Sequence, residues 1–298
     1  MTSSNVPGGT FPDGNRFQSL ERAGSHRFAR VGVLLMHGLG GTPNELRLPA
    51  RALARSGFAV NNMTLAGHCQ SADDLRRSTW SDWVASVDIA YDELRRSCDV
   101  VIAGGLSMGA ILAVELAHRR PDEVIGLILL APTLRLDGWA MPYSSRFVNL
   151  IRPGLVPFDL ELREREPYGI KDPRIRAIVL RCMQSGEPKE AGTFATPLRA
   201  FAQFNGLVAH TRRLFGTVRQ PALIIHPRHD DIAAFGNATE LQRRLAGPVE
   251  TIVLEDSYHL VTLDRQRHEV VAQCAAFASR IAAGYEQGPR PLFSGTRV

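Results

Sequence analysis

Cysteine is scarce in this chain, and its spacing argues against two classes of protein. The four cysteines, Cys69, Cys98, Cys182 and Cys274, lie far apart, with no CxxC or CxxxC pair among 298 residues. A structural zinc site needs closely spaced thiolates or histidines, and a small secreted domain needs cysteines for its disulfide framework. We therefore expect no metal site, no disulfide framework and a reducing, cytoplasmic environment.

Long apolar runs are also missing. The longest run of note, at 124–131, has eight residues, whereas a membrane-spanning helix needs about 18 or more. The opening residues 1–9 have neither the basic start nor the apolar stretch of a secretory signal. Both absences favour a cytoplasmic protein without a spanning segment.

A strong charge of one sign is absent as well. The formal net charge is +5, from 35 basic and 30 acidic side chains, and no basic stripe is interleaved with aromatic residues. We therefore expect no nucleic-acid partner. The basic excess is nevertheless confined to one segment, because residues 133–217 carry 13 basic and 8 acidic side chains and the remainder carries 22 of each.

Strand patterns alternate with helix patterns along most of the chain. Apolar runs predict buried strands at 31–36, 58–63, 99–104, 124–130, 222–226 and 250–254. Helix patterns cover 45–56, 79–96, 110–117 and 270–283, the second opened by a capping box at Thr79–Asp82. Strands that are apolar throughout and separated by helices indicate a mostly parallel, doubly wound α/β sheet covered on both faces.

Residues 133–217 break this rhythm. Helix patterns at 144–151, 174–184 and 198–215 are separated by proline and glycine, with no strand of the buried type. We expect a small helical lid inserted between two strands of the sheet. On this division the α/β core comprises 27–132 and 218–283, with a flexible arm at 1–26 and a tail at 284–298.

The most informative stretch is Gly105-Leu106-Ser107-Met108-Gly109, which lies between a strand pattern and a helix pattern. A strand, a tight Gly-x-Ser-x-Gly turn and a helix together form a nucleophile elbow, which exposes the serine hydroxyl above a helix N-terminus. Glycines two residues on either side of the serine suit the close approach of strand and helix, where a Cβ would clash. Ser107 is therefore the candidate nucleophile.

A serine nucleophile needs a base, and the base needs a carboxylate to orient it. The strand at 222–226 is followed by Asp230 and Asp231, and the strand at 250–254 is followed by His259. Carboxyl ends of neighbouring parallel strands meet at one sheet edge, which favours a Ser-Asp-His set in that chain order. We choose Asp230 over Asp231 because it lies closer to the strand end. His226, His229, Asp230 and Asp231 could also serve as metal ligands, but metal ligation is not expected, since no second His or Cys cluster completes a site.

The loop after the first strand, His37-Gly38-Leu39-Gly40-Gly41-Thr42, is the candidate oxyanion loop. An oxyanion hole needs two backbone N–H groups directed at the developing charge. The residue after the nucleophile, Met108, supplies one, and Leu39 is expected to supply the other. We interpret His37 as a structural residue that holds this loop.

At this point the chain resembles the α/β-hydrolase superfamily and, more narrowly, bacterial carboxylesterases and monoacylglycerol-lipase-like enzymes. Six motifs carry the resemblance: His37-Gly38-Leu39-Gly40-Gly41-Thr42-Pro43, Ala66-Gly67-His68, Thr79-Trp80-Ser81-Asp82-Trp83, Gly105-Leu106-Ser107-Met108-Gly109, Arg228-His229-Asp230-Asp231 and Tyr258-His259-Leu260-Val261-Thr262-Leu263-Asp264. The family commonly has Gly-His-Gly where this chain has Gly67-His68-Cys69, and it commonly has glycine at Ala110.

The resemblance implies an acyl-enzyme mechanism in which Ser107 attacks, His259 moves the proton and Asp230 orients His259. It implies a carboxylic-ester hydrolase that needs no cofactor and acts on small-molecule acyl esters of medium to long chain, such as monoacylglycerols. Apolar lid residues would hold the acyl chain; the candidates are Met141, Tyr143, Phe147, Ile151, Leu155, Phe158, Phe194, Phe201 and Phe204.

Other interpretations stay open. A thioesterase or an acyltransferase would use the same three residues, and the fold also serves non-catalytic small-molecule receptors. The basic lid supports a further hypothesis, in which it attracts an anionic substrate or makes transient contact with a membrane or lipid.

Overall fold

The computed structural model describes residues 31–141, 145–154, 160–163, 165–184 and 195–287. The predicted arm at 1–26 and most of the predicted tail at 284–298 lie outside these ranges.

Six strands form a parallel sheet in the order β2-β1-β3-β4-β7-β8. Their bounds are β1 Val31–Met36, β2 Ala59–Met63, β3 Val100–Leu106, β4 Val124–Leu130, β7 Ala222–Pro227 and β8 Val249–Leu254. Each lies within two residues of a predicted strand. The α/β fold class and its parallel sheet are confirmed.

Helices cover both faces of this sheet, and further helices lie in the segment between β4 and β7. Their bounds are α1 Arg47–Arg55, α2 Ala72–Arg77, α3 Trp80–Arg95, α4 Met108–Arg119, α5 Ser145–Val148, α6 Pro173–Gln184, α7 Leu198–Thr211, α8 Gly236–Arg244 and α9 Arg267–Gln287. The capping box is present at α3, where the Thr79 N–H donates to Asp82 Oδ2 at 2.8 Å.

Side chains of alternate residues in the strands pack into two separate apolar cores, one on each face of the sheet. On β1, Leu34 and Met36 join a cluster with α3, α4, α7 and α8, whereas Val33 and Leu35 join a cluster with α1 and α9. Because successive side chains of a strand point to opposite faces, an all-apolar strand must be covered on both. The two clusters are the physical basis of the doubly wound arrangement.

The segment 133–217, here called the insert, connects β4 to β7. Its three predicted helices are present as α5, α6 and α7, although α5 is one turn long and α7 ends at Thr211. The insert also contains two short strands, β5 Glu161–Arg163 and β6 Ala195–Pro197, which pair antiparallel. Neither strand is an apolar run of the buried type, and the sequence analysis did not identify them because three-residue strands are too short to produce a readable apolar pattern.

Helix α2 was also missed by the sequence analysis. It is six residues long, with Leu75 as its buried residue, so its sequence carries no helical apolar stripe. Its start is marked instead by a Ser71–Asp74 capping box. In the part of the chain that the structure describes, no helix has the length and apolarity needed to cross a membrane.

Replacing Gly109 with alanine tests the close packing on which the elbow depends. A Cβ at Gly109 would overlap the carbonyl oxygen of Met36 at the end of β1, and the backbone cannot move away cheaply. We expect Gly109→Ala to lower the free energy of unfolding in urea by about 2 kcal/mol or more. Gly216→Ala is the matched control, because a Cβ there meets nothing within 4 Å. Equal stability of the two variants would contradict the packing argument.

Candidate active site

Ser107 lies at a strained turn between β3 and α4. Its φ of 56° and ψ of −114° fall in a region that residues other than glycine rarely adopt. The turn is held because the Ser107 N–H donates to the Leu130 carbonyl at 2.9 Å. A Cβ at Gly105 would overlap Gly109 and the Met36 carbonyl, so both glycines of the motif are required by backbone contact.

Helix α4 begins directly after this serine, at Met108. The N–H groups of a helix's first turn lack intrahelical partners and carry the positive end of the helix dipole. Met108 lines the same pocket as Ser107. An oxygen that gains negative charge next to Ser107 would therefore meet a favourable electrostatic field.

Asp230 and His259 form a buried hydrogen-bonded pair. The two residues follow β7 and β8, and Asp230 Oδ2 accepts from His259 Nδ1 at 2.8 Å. The other carboxylate oxygen accepts from the backbone N–H groups of Ile232 and Ala233, both at 2.8 Å. With Nδ1 donating to the carboxylate, Nε2 of His259 keeps its lone pair available as a base.

Asp230 and His259 each stabilise the charged form of the other. Burial alone would lower the pKa of His259, but the Asp230 charge and hydrogen bond outweigh it and leave the pKa raised. Burial alone would raise the pKa of Asp230, but the coulombic and hydrogen-bond contributions of His259 leave it lowered. His259 is thereby a stronger base than a free histidine.

Asp231, the alternative carboxylate, has different partners. Its oxygens accept from the backbone N–H groups of Gly169, at 2.8 Å, and His259, at 3.2 Å. Burial, followed by the neighbouring charge of Asp230, raises the pKa of Asp231. Asp231 thus ties the insert and the His259 backbone together, whereas Asp230 contacts the imidazole.

The hydroxyl of Ser107 is directed at a residue that the sequence analysis missed. Ser107 Oγ donates to Thr133 Oγ1 at 3.0 Å, and Thr133 Oγ1 donates to the Ala131 carbonyl at 3.2 Å. Ser107 and His259 line the same pocket, but the resting hydroxyl is bonded to Thr133. Thr133 follows β4, which is the neighbour of β3 in the sheet. This adjacency is the feature from which the position of Thr133 beside Ser107 could have been predicted.

The loop after β1 contributes Gly38, Leu39, Gly40 and Gly41 to the pocket wall. His37 holds this loop from behind, because its Nε2 accepts from the Leu65 N–H at 3.2 Å and its Nδ1 donates to the Gly38 carbonyl at 2.9 Å. Burial, followed by the nearby His68, lowers the pKa of His37 to about 3. A histidine that is neutral near pH 7 and lies outside the pocket lining fits a structural role.

Glu45 is a second residue whose role the sequence did not reveal. Its Oε2 accepts from the Gly38 N–H at 3.1 Å, and Glu45 lines the pocket with Ser107 and His259. Burial raises its pKa to about 7, against the opposing hydrogen bonds from the backbone at Gly38 and Thr42. A glutamate at the start of a helix pattern usually has a capping role, which is why the sequence alone did not distinguish it.

Cys69 occupies the position where the family commonly has glycine. Its φ is 61°, in the left-handed region, and Gly67 nearby has a φ of 73°. The usual glycine is explained by this backbone conformation, which costs other residues about 1–2 kcal/mol. Between them, His68 is buried and contacts the His37 ring edge-on, with centroids 4.9 Å apart.

The pocket beside Ser107 is mainly apolar. Core and insert together contribute its apolar lining: Leu39, Leu106, Met108, Leu136, Ala140, Met141, Leu162, Val179, Phe201, Phe204, Ile232 and Leu260. Of the expected acyl-chain residues, Met141, Phe201 and Phe204 line the pocket. Ile151 packs against a small cluster of Leu136, Val148 and Phe201, and Phe147 is 71% exposed. Tyr143, Leu155, Phe158 and Phe194 lie outside the described residues.

His226, one of the residues considered as metal ligands, is fully buried. Its Nε2 donates to the Ala233 carbonyl at 2.9 Å and lies 3.5 Å from Asp230 Oδ2. Across the described ranges, no group of three or more His, Cys, Asp or Glu side chains could hold a metal ion.

His68→Gln tests the buried, neutral state of the histidines behind the loop. Burial lowers the pKa of His68 to about 4, so between pH 6.5 and 4 the unfolded chain takes up a proton that the folded protein excludes. Stability should fall as the pH is lowered through this window, by up to about 1.4 kcal/mol per pH unit for one histidine.

The measurement is urea unfolding of wild type and His68→Gln from pH 7.5 to 4.5. We expect the variant to be less stable at pH 7.5 but to lose about 2 kcal/mol less on acidification. Parallel curves would show that His68 is protonated equally in both states.

Comparison with known proteins agrees with this architecture. The family described as serine aminopeptidase, S33, matches residues 29–266. A thermostable monoacylglycerol lipase from Bacillus sp. (strain H-257) is 29% identical over 253 residues, which cover 85% of this chain and 92% of the relative. A carboxylesterase from Bacillus subtilis (strain 168) is 21% identical over 251 residues, covering 84% and 92%.

Solved structures give the same picture. A structure from work on the metagenome-derived lipolytic enzymes LipS and LipT has a TM-score of 0.72 at 29% identity, covering 85% of this chain and 94% of that one. A soluble variant of Saccharomyces cerevisiae monoglyceride lipase has a TM-score of 0.73 over 94% and 96% of the two chains. At 16% identity, this likeness shows a shared fold alone. The chain belongs to the serine aminopeptidase S33 family of α/β-hydrolases and is a serine hydrolase of the esterase and lipase type.

Proposed function

We propose that Ser107, His259 and Asp230 form a catalytic triad that hydrolyses carboxylic esters through an acyl-enzyme. The observation that carries this proposal is the arrangement at one pocket. A serine on a strained elbow faces the same space as a histidine whose Nδ1 is bonded to a buried carboxylate. This is the combination that converts a weak hydroxyl nucleophile into an effective one.

In the proposed reaction the Ser107 hydroxyl turns from Thr133 to His259. Nε2 of His259 takes the hydroxyl proton as Oγ forms a bond to the ester carbonyl carbon, and the N–H groups of Leu39 and Met108 stabilise the oxyanion. The bond to the alcohol then breaks, and His259 returns the proton to the departing oxygen. A water molecule, deprotonated by His259, hydrolyses the acyl-enzyme and restores Ser107.

We further propose that the substrates are small-molecule esters of medium to long acyl chains, with monoacylglycerols as the leading candidates. The support is the apolar pocket lining, which reaches from Leu106 beside the nucleophile to Phe201 and Phe204 in the insert. Burying each methylene of a chain contributes about 0.8 kcal/mol. A protein that is 29% identical to this chain over 85% of its length is a monoacylglycerol lipase.

The insert is proposed to act as a lid over this pocket. It supplies Met141, Leu162 and Val179 to the lining. Five of the six exposed large apolar side chains of the described residues also lie in it: Trp139, Phe147, Leu150, Leu160 and Ile178. An exposed apolar surface beside a pocket for acyl chains supports transient contact with lipid. The cytoplasmic location stays a prediction.

A panel of 4-nitrophenyl esters from acetate to palmitate tests the proposed function. We expect kcat/KM to rise from acetate to medium or long chains, because the pocket buries more of the acyl group. Ser107→Ala should lower kcat by about 10⁴-fold or more. Asp230→Asn should also lower kcat strongly, with a smaller change in KM, while Asp231→Asn should affect it less.

The same assay with thioesters and with added alcohols distinguishes the rival interpretations. Preferential turnover of thioesters, or transfer to added alcohols over water, would assign the triad to a thioesterase or an acyltransferase. Full activity of Ser107→Ala, or equal turnover of acetate and longer esters, would contradict the proposed nucleophile or the proposed acyl pocket, respectively.

A further inference from the structure

The carboxyl group of Glu45 is folded beneath the oxyanion loop. Its Oε2 accepts from the Gly38 N–H, at the residue directly before the proposed donor Leu39. A Cβ at Gly41 would overlap both oxygens of this carboxylate, so the loop is closed around it. The turn is completed by the Gly41 N–H, which donates to the Gly38 carbonyl at 3.2 Å.

The same carboxylate is close to the reacting groups. A Cβ at Gly38 would lie 3.5 Å from Ser107 Cβ and 3.6 Å from Glu45 Oε2, so a single backbone residue separates nucleophile and carboxylate. Glu45 and His259 each influence the other's ionisation: the His259 charge lowers the pKa of Glu45, and the Glu45 charge raises that of His259.

We propose that Glu45 is a positioning residue of this site, whose carboxylate holds the oxyanion loop against Ser107 and whose charge acts on His259. This proposal rests on the proposed function. The hydrogen bond orients the loop so that the next N–H, that of Leu39, points into the pocket. The negative charge favours the imidazolium that forms when Ser107 is deprotonated, because opposite charges in a poorly solvated site attract strongly.

Other charged groups around Glu45 define the background for this interaction. Asp230 and Asp231 contact His259, and Arg163 and Arg165 of the insert line the same pocket. His37 and His68, behind the loop, are held neutral by burial. Glu45 is therefore the carboxylate that lines the pocket on the oxyanion side.

The test compares Glu45→Gln with Glu45→Ala in kcat and KM from pH 5 to 9, using 4-nitrophenyl butyrate. Gln retains an oxygen that can accept from Gly38 but has no charge. Because the pKa of Glu45 is about 7, wild type carries this charge from about pH 7 upward, so the kcat of Glu45→Gln should fall below that of wild type there and approach it toward pH 5. Ala loses both contributions, and kcat should fall by about tenfold to a hundredfold with a smaller change in KM.

The outcomes separate this proposal from the proposed function. Absence of ester hydrolysis in wild type would overturn the proposed function itself. A wild-type pH profile of kcat in Glu45→Gln, or a wild-type kcat in Glu45→Ala, would overturn only the role of Glu45. Urea unfolding of both variants identifies any loss of activity that comes from loss of folding.

Independently, two arginines of the insert line the pocket of Ser107. Arg163 is the last residue of β5, Arg165 lies two residues on, and both side chains are exposed at the pocket wall. The nearby described carboxylates bond elsewhere: Glu161 pairs with Arg76 at 3.2 Å and Glu166 with Arg176 at 2.5 Å. Among the described residues neither pocket arginine has a carboxylate partner.

We infer that Arg163 and Arg165 form a subsite for an anionic group carried by the ester. An apolar channel with guanidinium groups on its insert side fits a substrate with a hydrocarbon portion and a carboxylate or phosphate at its far end. This inference also rests on the proposed function. It assigns a binding role to two of the basic residues that make up the positive charge of the insert.

Two matched substrate pairs test the subsite and identify where the anion resides. For an anion on the acyl side, the pair is 4-nitrophenyl hydrogen adipate and 4-nitrophenyl hexanoate. For an anion on the alcohol side, the pair is 1-lauroyl-glycerol-3-phosphate and 1-lauroyl-glycerol. The readout is the anionic-to-neutral ratio of kcat/KM, which is insensitive to a uniform loss of active enzyme.

In the double variant Arg163→Gln, Arg165→Gln, the ratio for one pair should fall by about fivefold or more relative to wild type. It should also fall in wild type when salt is raised. Arg174→Gln, an exposed arginine of the insert outside the pocket lining, is the matched control. Ratios that are equal in all three proteins for both pairs would overturn the subsite.

Discussion

The close approach of three backbone segments below Ser107 is the constraint on which the rest of the site depends. The end of β1, the end of β3 and the first turn of α4 meet so tightly that a Cβ at Gly105 or Gly109 would overlap the Met36 carbonyl. The chain must then reverse direction within a single residue, and Ser107 takes the strained conformation that results. The energetic cost of this conformation is offset by the packing of the parallel strands, whose side chains are buried on both faces of the sheet.

Electrostatics at the sheet edge follow from this geometry. The segments that follow β1, β3, β4, β7 and β8 all start at the same edge, and they supply Glu45, Ser107, Thr133, Asp230 and His259 in that order along the chain. Burial makes each interaction among them stronger than it would be in water. Backbone N–H groups donate hydrogen bonds that stabilise the buried carboxylates. Gly38 donates to Glu45, Ile232 and Ala233 donate to Asp230, and Gly169 donates to Asp231.

Sequence reasoning succeeded where one strong physical pattern controls the outcome. The apolar strands and the glycines around Ser107 could be predicted because double-sided burial and backbone contact leave few other residue types. Thr133 and Glu45 could not, since a threonine after a strand and a glutamate near a helix start are common for local reasons. Their roles depend on distances between loops that are set by the register of β1, β3 and β4.

The insert was the least predictable part for the same reason. Strands β5 and β6 are short and partly exposed, so neither alternation nor a buried run marks them. Whether Arg163 and Phe201 face one pocket is determined by tertiary packing of the insert on the core. The composition of the sequence showed that the excess of basic residues lies in the insert. It did not show that two arginines of the insert line the pocket.

Covalent labelling with an alkyl fluorophosphonate, followed by peptide mass spectrometry, tests the central claim most directly. This reagent needs an activated nucleophile and donors for the developing oxyanion, so it reports on the assembled site as well as on the residue. The account predicts one adduct, on Ser107, that forms much more slowly in His259→Gln and is absent in Ser107→Ala. Labelling at another residue, or equal labelling of Ser107→Ala, would contradict it.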